Sequence, residues 1–155
     1  MTDNKKIINA TEVNVNGLSF RSKLEARVYK ELLRLGYSPS YESYSCILLD
    51  GFVPSKPWFN DGIPEVTVKD VPKAVREWRY TPDFIIRKGG LTAYIECKGY
   101  SNDLHPYKRK VFLKVINNDS VNYYFEVRTL RGLRKSMEAF EELIIKHRKN
   151  NEESL

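Results

Sequence analysis

Apolar residues recur every three or four positions in two stretches of the chain, and this spacing predicts two amphipathic helices. The first covers residues 22–35, where Gly36 supplies a C-terminal stop, and the second covers residues 130–149. A third, basic helix is predicted over residues 103–116. The apolar positions that carry the first two helices are Leu24, Val28, Leu32 and Leu35, then Leu133, Met137, Phe140 and Ile144.

Segments rich in β-branched and aromatic residues lie between these helices and predict strands. They cover residues 13–20 (a short strand and turn), 37–49 (one or two strands), 79–88, 91–98 and 121–127. The order of helices and strands favours an α/β fold with a mixed central β-sheet flanked by helices.

The chain divides into three parts by composition. Residues 1–11 form a polar N-terminal segment, residues 12–149 a single domain, and residues 150–155 a polar tail. Within the domain, residues 50–78 carry four of the seven prolines, which predicts a long loop or insertion. Trp58, Phe59 and Trp78 are the residues expected to anchor it.

Length and composition exclude several classes of protein. At 155 residues, with 41% hydrophobic and 30% charged residues, the chain can form a core without disulfides or structural metal. No apolar run approaches the roughly 20 residues of a membrane span, and the N-terminus lacks the apolar stretch of a secretory signal. Two cysteines and two histidines are too few for a disulfide framework or a structural zinc site. We therefore expect a reducing, cytoplasmic location without membrane association.

The charge balance points to a polyanionic partner. The 26 basic residues exceed the 20 acidic ones, giving a net charge of +6 and a pI near 9.2. Nucleic acid is a better fit to this charge than an anionic membrane surface, although charge alone is weak support.

The glycine pair at residues 89–90 sets the register of the two strands that flank it. A two-residue loop of this kind favours a type I′ or II′ hairpin, so Lys88 and Leu91 become the first facing pair. Counting outward from that pair, Asp83 falls opposite Glu96, with their Cβ atoms about 5 Å apart. Side chains alternate along a strand, so Lys98 shares the face of Glu96.

Facing carboxylates repel each other, and a divalent cation between them would remove this cost. The backbone carbonyl of Cys97 is a plausible third oxygen ligand, and Mg²⁺ suits a site with few carboxylates. Two carboxylates, a hard cation and an ammonium group are the set that phosphodiester hydrolysis needs. The alternative is a surface hairpin in which Lys98 forms an ordinary ion pair with Asp83 or Glu96.

This pattern resembles the PD-(D/E)xK nuclease superfamily. Pro82-Asp83 is followed, after twelve residues, by Glu96-Cys97-Lys98. The preceding motifs, Phe20-Arg21-Ser22-Lys23-Leu24-Glu25 and Tyr41-Glu42, make the chain similar to the phage endonuclease I group of Holliday-junction resolving enzymes and to related phage and prophage nucleases. It also resembles the endonuclease subunit of heteromeric transposases. Ser40 departs from the pattern, because the junction-resolving enzymes carry an acidic residue there.

The resemblance implies a restriction-endonuclease-like core with catalytic residues Glu25, Asp83, Glu96 and Lys98. The metal ligands would be Asp83, Glu96 and the Cys97 carbonyl, binding Mg²⁺, for which Mn²⁺ could substitute. For Glu25 a structural alternative stays open, because Ser22-x-x-Glu25 is also a capping box at a helix start. A junction resolvase is expected to be a homodimer, since two symmetric cuts need two sites.

Basic residues on the two C-terminal helices are the candidates for DNA contacts. They are Lys108, Arg109, Lys110 and Lys114 on one helix, and Arg131 and Arg134 on the other. Lysine and arginine contacts to phosphate add affinity that depends on salt rather than on sequence. The alternative is a solvated helix face. His105 is predicted to be a loop residue and not a general base.

The sequence therefore predicts a Mg²⁺-dependent endonuclease acting on duplex or branched DNA, of the phage junction-resolving type. Alternatives within enzymes are a transposase subunit or a restriction-like nuclease acting on duplex DNA. Two alternatives are not enzymes: a non-catalytic DNA-binding protein with the same fold, and a protein–protein adaptor. The adaptor leaves the facing carboxylates unexplained.

Overall fold

The computed structural model describes residues 11–56, 74–99 and 104–153, and these contain three helices and eight strands. The helices are α1 (Lys23–Arg34), α2 (His105–Ile116) and α3 (Leu130–Glu153). The strands are β1 (Val13–Val15), β2 (Leu18–Phe20), β3 (Ser40–Tyr41), β4 (Cys46–Leu49), β5 (Trp78–Tyr80), β6 (Phe84–Lys88), β7 (Leu91–Cys97) and β8 (Asn122–Val127).

The central sheet has four strands in the order β3-β6-β7-β8. β6 runs antiparallel to both of its neighbours, β3 and β7, whereas β8 runs parallel to β7. The sheet is therefore mixed, as the order of elements predicted. Two small antiparallel pairs, β1 with β2 and β4 with β5, lie outside it.

Helices cover both faces of this sheet, which confirms the predicted α/β architecture. On one face, Phe84 and Ile95 pack in an apolar cluster with residues of α1 and α3, including Leu32 and Phe140. On the other face, Ile85 and Tyr94 pack in a second cluster with Phe112 and Ile116 of α2 and with Cys46 and Tyr80 of the small β4–β5 pair. The alternation of side chains along β6 and β7 is what divides them between the two clusters.

The predicted strand over residues 79–88 is wrong in one respect, because it is two strands in different sheets. Pro82 cannot donate to a strand ladder, and the chain breaks between Tyr80 and Phe84. β5 pairs with β4, while β6 belongs to the central sheet. The break leaves Asp83 at the end of the central sheet, directly before β6.

The ends of the helices differ from prediction mainly at α3. α1 has Ser22 as its N-cap and Leu35 as its C-cap, and Gly36 follows with φ 83°, as predicted. α3 continues to Glu153, so most of the predicted polar tail is helical. Residues 150–153 contain neither glycine nor proline, the residues that most often end a helix.

Parts of the predicted organisation fall outside the described residues. They include residues 1–10 of the N-terminal segment and residues 57–73 of the insertion, with Trp58 and Phe59. At the described ends of the insertion, Phe52 and Val75 form an antiparallel bridge through two backbone hydrogen bonds of 3.0 and 2.7 Å. No helix in the described part of the chain combines the length and the apolar character needed to cross a bilayer.

The hairpin between β6 and β7 has the predicted register. Gly89 and Gly90 have φ values of 59° and 81°, and positive φ at both central residues defines a type I′ turn. Lys88 pairs with Leu91, and the ladder continues without a bulge to the pair of Phe84 and Ile95. A side chain at Gly89 would also overlap Ile144 of α3.

We expect Gly89→Ala to destabilise the protein more than Gly17→Ala does. Both glycines have positive φ, which costs an L-residue about 1–2 kcal/mol. A Cβ at Gly17 meets nothing within 4 Å, whereas a Cβ at Gly89 overlaps a buried side chain, which adds about 1–3 kcal/mol. Urea denaturation of both variants measures the difference; equal losses would contradict the close packing of the turn against α3.

Candidate active site

Asp83 and Glu96 are neighbours at the end of the central sheet. The pair of Phe84 and Ile95 is the last rung of the β6–β7 ladder, and Asp83 and Glu96 are the next residues on the two strands. Both residues are buried, with exposed fractions of 5% and 7%. The register therefore brings together the two carboxylates that the glycine turn predicted to face each other.

The charge of Asp83 is disfavoured by its surroundings. Burial, and then the nearby charge of Glu96, raise the pKa of Asp83 to about 8, and the charge of Glu25 acts in the same direction. Two groups oppose this effect: the Cys97 backbone N–H donates to Asp83 Oδ2 at 2.6 Å, and Arg21 Nη2 lies 3.4 Å from Oδ1. Two buried carboxylates this close favour a bound cation or a proton between them.

The β6–β7 register directs the backbone of Cys97 toward Asp83 and Pro82. In an antiparallel ladder, the N–H and C=O of one residue point toward the same neighbouring strand, and the Cys97 N–H points toward Asp83. Its carbonyl is therefore directed to the same side, opposite Pro82, which has no N–H to donate. A carbonyl without a ladder partner is a suitable third oxygen ligand for a cation held by Asp83 and Glu96.

Glu96 is held by groups on both of its carboxylate oxygens. The Tyr80 hydroxyl donates to Oε2 at 2.7 Å, and Lys98 Nζ donates to Oε1 at 3.0 Å. Burial, and then the charge of Glu96, raise the pKa of the Tyr80 phenol well above its ordinary value, so Tyr80 stays a donor. Lys98 lies on the same face as Glu96, as predicted, and its side chain is only 16% exposed.

Glu25 forms the predicted cap at the start of α1. Its backbone N–H donates to Ser22 Oγ at 3.2 Å, and the Ser22 hydroxyl donates to Glu25 Oε1 at 2.7 Å. Its other oxygen accepts from the Arg21 N–H at 3.1 Å and from the Tyr41 hydroxyl at 2.7 Å. Glu25 is buried, and its charge contributes to the raised pKa of Asp83. The capping role is established, while a catalytic role stays a prediction.

Arg21 links Asp83 to a further acidic residue, Glu42. Its guanidinium forms ion pairs with Glu42 and Asp83, although its side chain is 65% exposed. Glu42 follows β3 with φ 43°, and its backbone N–H donates to the Asp83 carbonyl at 2.9 Å. An exposed cation therefore lies between buried Asp83 and the exposed Glu42.

Three residues that contact or neighbour Glu96 were given no role in the site from the sequence: Tyr80, Glu126 and His105. Glu126 is the Cα partner of Glu96 in β8, and His105 Nδ1 lies 3.7 Å from Glu96 Oε1. His105 is the first residue of α2 and is 4% exposed, so the expectation of a loop residue is wrong. The parallel pairing that creates this neighbourhood joins distant segments and leaves no local signal in the sequence.

The donor set has the hard oxygen ligands that Mg²⁺ prefers. Mg²⁺ uses one or two carboxylates and keeps several waters, and a carbonyl oxygen has the same hard character. Asp83, Glu96 and the Cys97 carbonyl supply such a set.

Four of the six predicted DNA-contact residues are exposed, namely Lys110, Lys114, Arg131 and Arg134. Lys108 lies over the ring of Trp78 at 5.8 Å, and Arg109 pairs with Glu126 at 2.9 Å. Arg134 pairs with buried Glu31 of α1 at 2.6 Å, which joins α3 to α1. Arg109 and Arg134 thus have structural partners in the protein.

Comparison with known proteins yields a family but no named relative. A protein-family model described as "Protein of unknown function (DUF1064)" matches residues 5–134, well over half of the chain. No curated protein and no solved structure matches the chain.

We expect Asp83→Asn to stabilise the metal-free protein at pH 8 but not at pH 4. In the unfolded chain an aspartate ionises near pH 4, whereas in the fold its pKa is raised to about 8. Between these values the unfolded chain binds fewer protons, so folding stability falls as the pH rises through this window. Asparagine removes that dependence and can still accept from the Cys97 N–H.

Thermal unfolding in EDTA at several pH values tests this expectation. Asp50→Asn, at an exposed position of the chain, is the matched control. A difference between Asp83→Asn and the parent protein that stays constant from pH 4 to pH 8 would contradict the raised pKa.

Proposed function

The chain belongs to the protein family described as "Protein of unknown function (DUF1064)", and we propose that it is a Mg²⁺-dependent DNA endonuclease. The observation that carries the proposal is the facing pair of buried carboxylates, Asp83 and Glu96, with Lys98 on the same face. Facing carboxylates destabilise a sheet, so their burial calls for a cation. An ion-paired surface hairpin, the alternative, does not account for the burial of both carboxylates, which are only 5% and 7% exposed.

The metal would be held by Asp83, Glu96 and the Cys97 carbonyl. When bound, Mg²⁺ would lower the pKa of a water ligand and polarise a phosphate oxygen. The Lys98 ammonium, 3.0 Å from Glu96 Oε1, is placed to orient the attacking water and to offset charge that develops on the phosphate. Glu25 accepts from the Arg21 backbone N–H and from the Tyr41 hydroxyl, and so helps to keep Arg21 in place beside Asp83.

DNA is the substrate that the charge distribution favours. The net charge is +6, and α2 begins at the site, where His105 contacts Glu96, then carries exposed Lys110 and Lys114. Phosphate contacts from this helix would lie along DNA that passes the carboxylates. We propose more specifically that the protein acts as a homodimer on four-way junctions, in the cytoplasm of a cell or of a phage-infected host. This part of the proposal follows from the resemblance to the phage junction-resolving enzymes.

We expect the purified protein to cut DNA in Mg²⁺ or Mn²⁺ but not in EDTA. Plasmid, a linear duplex and a four-way junction are the substrates, and gel analysis reports the products. Glu96→Gln and Lys98→Ala should each lower the cleavage rate by about 10²–10³-fold, the loss typical of removing one group that stabilises the transition state. Glu138→Gln, an exposed position on α3, is the matched control.

The pattern of cleavage separates the alternatives. A preference for the junction would support the resolving enzyme, and equal cutting of the linear duplex would support a restriction-like or transposase-type nuclease. Binding to DNA without cleavage in either metal would refute the enzyme and leave a DNA-binding protein. Cleavage that survives both substitutions would come from another site or another protein.

We expect Lys110→Ala combined with Lys114→Ala to weaken DNA binding equally for different sequences. Each lost phosphate contact should reduce the slope of log K against log salt concentration by about 0.9. Fluorescence anisotropy in EDTA at several salt concentrations measures this slope without cleavage. The pair Lys146→Ala and Lys149→Ala, exposed on the last turns of α3, is the control. An unchanged slope in the α2 variant would remove this helix from the DNA-binding surface.

A further inference from the structure

Three carboxylates lie side by side at the end of the central sheet. Glu126 is the Cα partner of Glu96 across the parallel β7–β8 pair, and Asp83 flanks Glu96 on the other side. Neighbouring strands lie about 4.8 Å apart, so Glu96 has a like-charged neighbour on each side. For the metal site to form, a group of the protein has to direct the Glu96 carboxylate toward Asp83 and not toward Glu126.

Glu126 is already neutralised by cations. Arg109 Nη1 lies 2.9 Å from its Oε2, and Arg128 Nη2 lies 3.0 Å from its Oε1. The same Oε2 accepts a hydrogen bond from His105 Nε2 at 3.1 Å. Because both of its carboxylate oxygens already have partners, Glu126 is a poor ligand for a metal ion, and its side chain is held in one position.

His105 lies between Glu126 and Glu96. While its Nε2 binds Glu126, its Nδ1 lies 3.7 Å from Glu96 Oε1. The imidazole is 4% exposed and is set at the first position of α2, where Pro106 follows and restricts the backbone. The ring therefore occupies the space between the two glutamates.

We propose that His105 is a positioning residue that holds the Glu96 carboxylate away from Glu126 and toward Asp83, in the arrangement that binds the divalent cation. This inference rests on the metal site of the proposed function. Groups that orient a metal ligand from behind typically contribute about 10–100-fold to metal affinity. Tyr80 and Lys98 restrict the same carboxylate, but His105 is the group placed between Glu96 and Glu126.

The test measures Mn²⁺ binding to the DNA-free protein by the loss of the free-ion electron paramagnetic resonance signal. Glu96→Gln identifies the binding that belongs to this site. His105→Ala should bind Mn²⁺ at least about tenfold more weakly than the parent protein. His147→Ala, at the other histidine of the chain and on α3, is the matched control and should bind normally.

Two conservative variants separate positioning from a general loss of structure. The amide nitrogen of asparagine corresponds to Nδ1 of histidine, and that of glutamine to Nε2. His105→Asn should therefore keep the contact with Glu96 and restore most of the Mn²⁺ affinity, whereas His105→Gln should not. Circular dichroism and thermal unfolding establish that each variant is folded, and the comparison of Asn with Gln stands even if the alanine variant unfolds.

The outcomes distinguish this inference from the proposed function. Glu96-dependent Mn²⁺ binding that His105→Ala leaves unchanged or strengthens would overturn the inference, as would restoration by Gln and not by Asn. A parent protein without Glu96-dependent Mn²⁺ binding would overturn it as well. Weakened binding in His105→Ala together with no DNA cleavage by the parent protein would support His105 as a positioning residue and refute the nuclease.

Discussion

Two carboxylates that face each other in a buried position need a positive charge or a proton between them, and this constraint links the fold to its chemistry. The hairpin turn at Gly89 and Gly90 imposes the register, so the pair of Asp83 and Glu96 cannot separate without breaking the ladder. Without a metal, burial and the charge of Glu96 raise the pKa of Asp83 to about 8. A divalent cation would replace the proton, so protonation and metal binding compete for the same pair.

Each carboxylate is fixed by a different part of the chain. Asp83 is held by the Cys97 backbone, whose carbonyl is left without a ladder donor by Pro82. Glu96 is held by Tyr80 from β5 and by Lys98 at the end of β7, and His105 Nδ1 of α2 lies 3.7 Å from its Oε1. Such convergence pre-organises the ligands, because few side-chain rotations remain to be lost when a cation binds.

Local signals predicted the parts of the site that lie on one hairpin. The glycine pair and the period of two along a strand were enough to place Asp83, Glu96 and Lys98 together, since no distant contact enters the argument. The cap at Ser22 and Glu25 was equally local. The mixed sheet followed from the order of elements.

Long-range contacts account for what the sequence did not reveal. Glu126 reaches Glu96 through parallel pairing with a strand beyond α2, and His105 is brought in by the packing of that helix. The break at Pro82 did have a local signal, because proline is rare inside a strand, but the pairing of Tyr80 and Phe84 in different sheets depends on distant strands. Arg134 was predicted from its charge as a DNA contact, but whether it has a partner in the fold depends on where Glu31 of α1 lies.

The position of a bound cation tests the account most directly. Anomalous scattering from crystals grown in Mn²⁺ would locate the ion independently of any activity. We expect one peak within about 2.3 Å of an oxygen of Asp83, an oxygen of Glu96 and the Cys97 carbonyl oxygen. A peak at another position would contradict the account. So would the absence of a peak at Asp83 and Glu96 in crystals in which Asp83 still accepts the hydrogen bond from the Cys97 N–H.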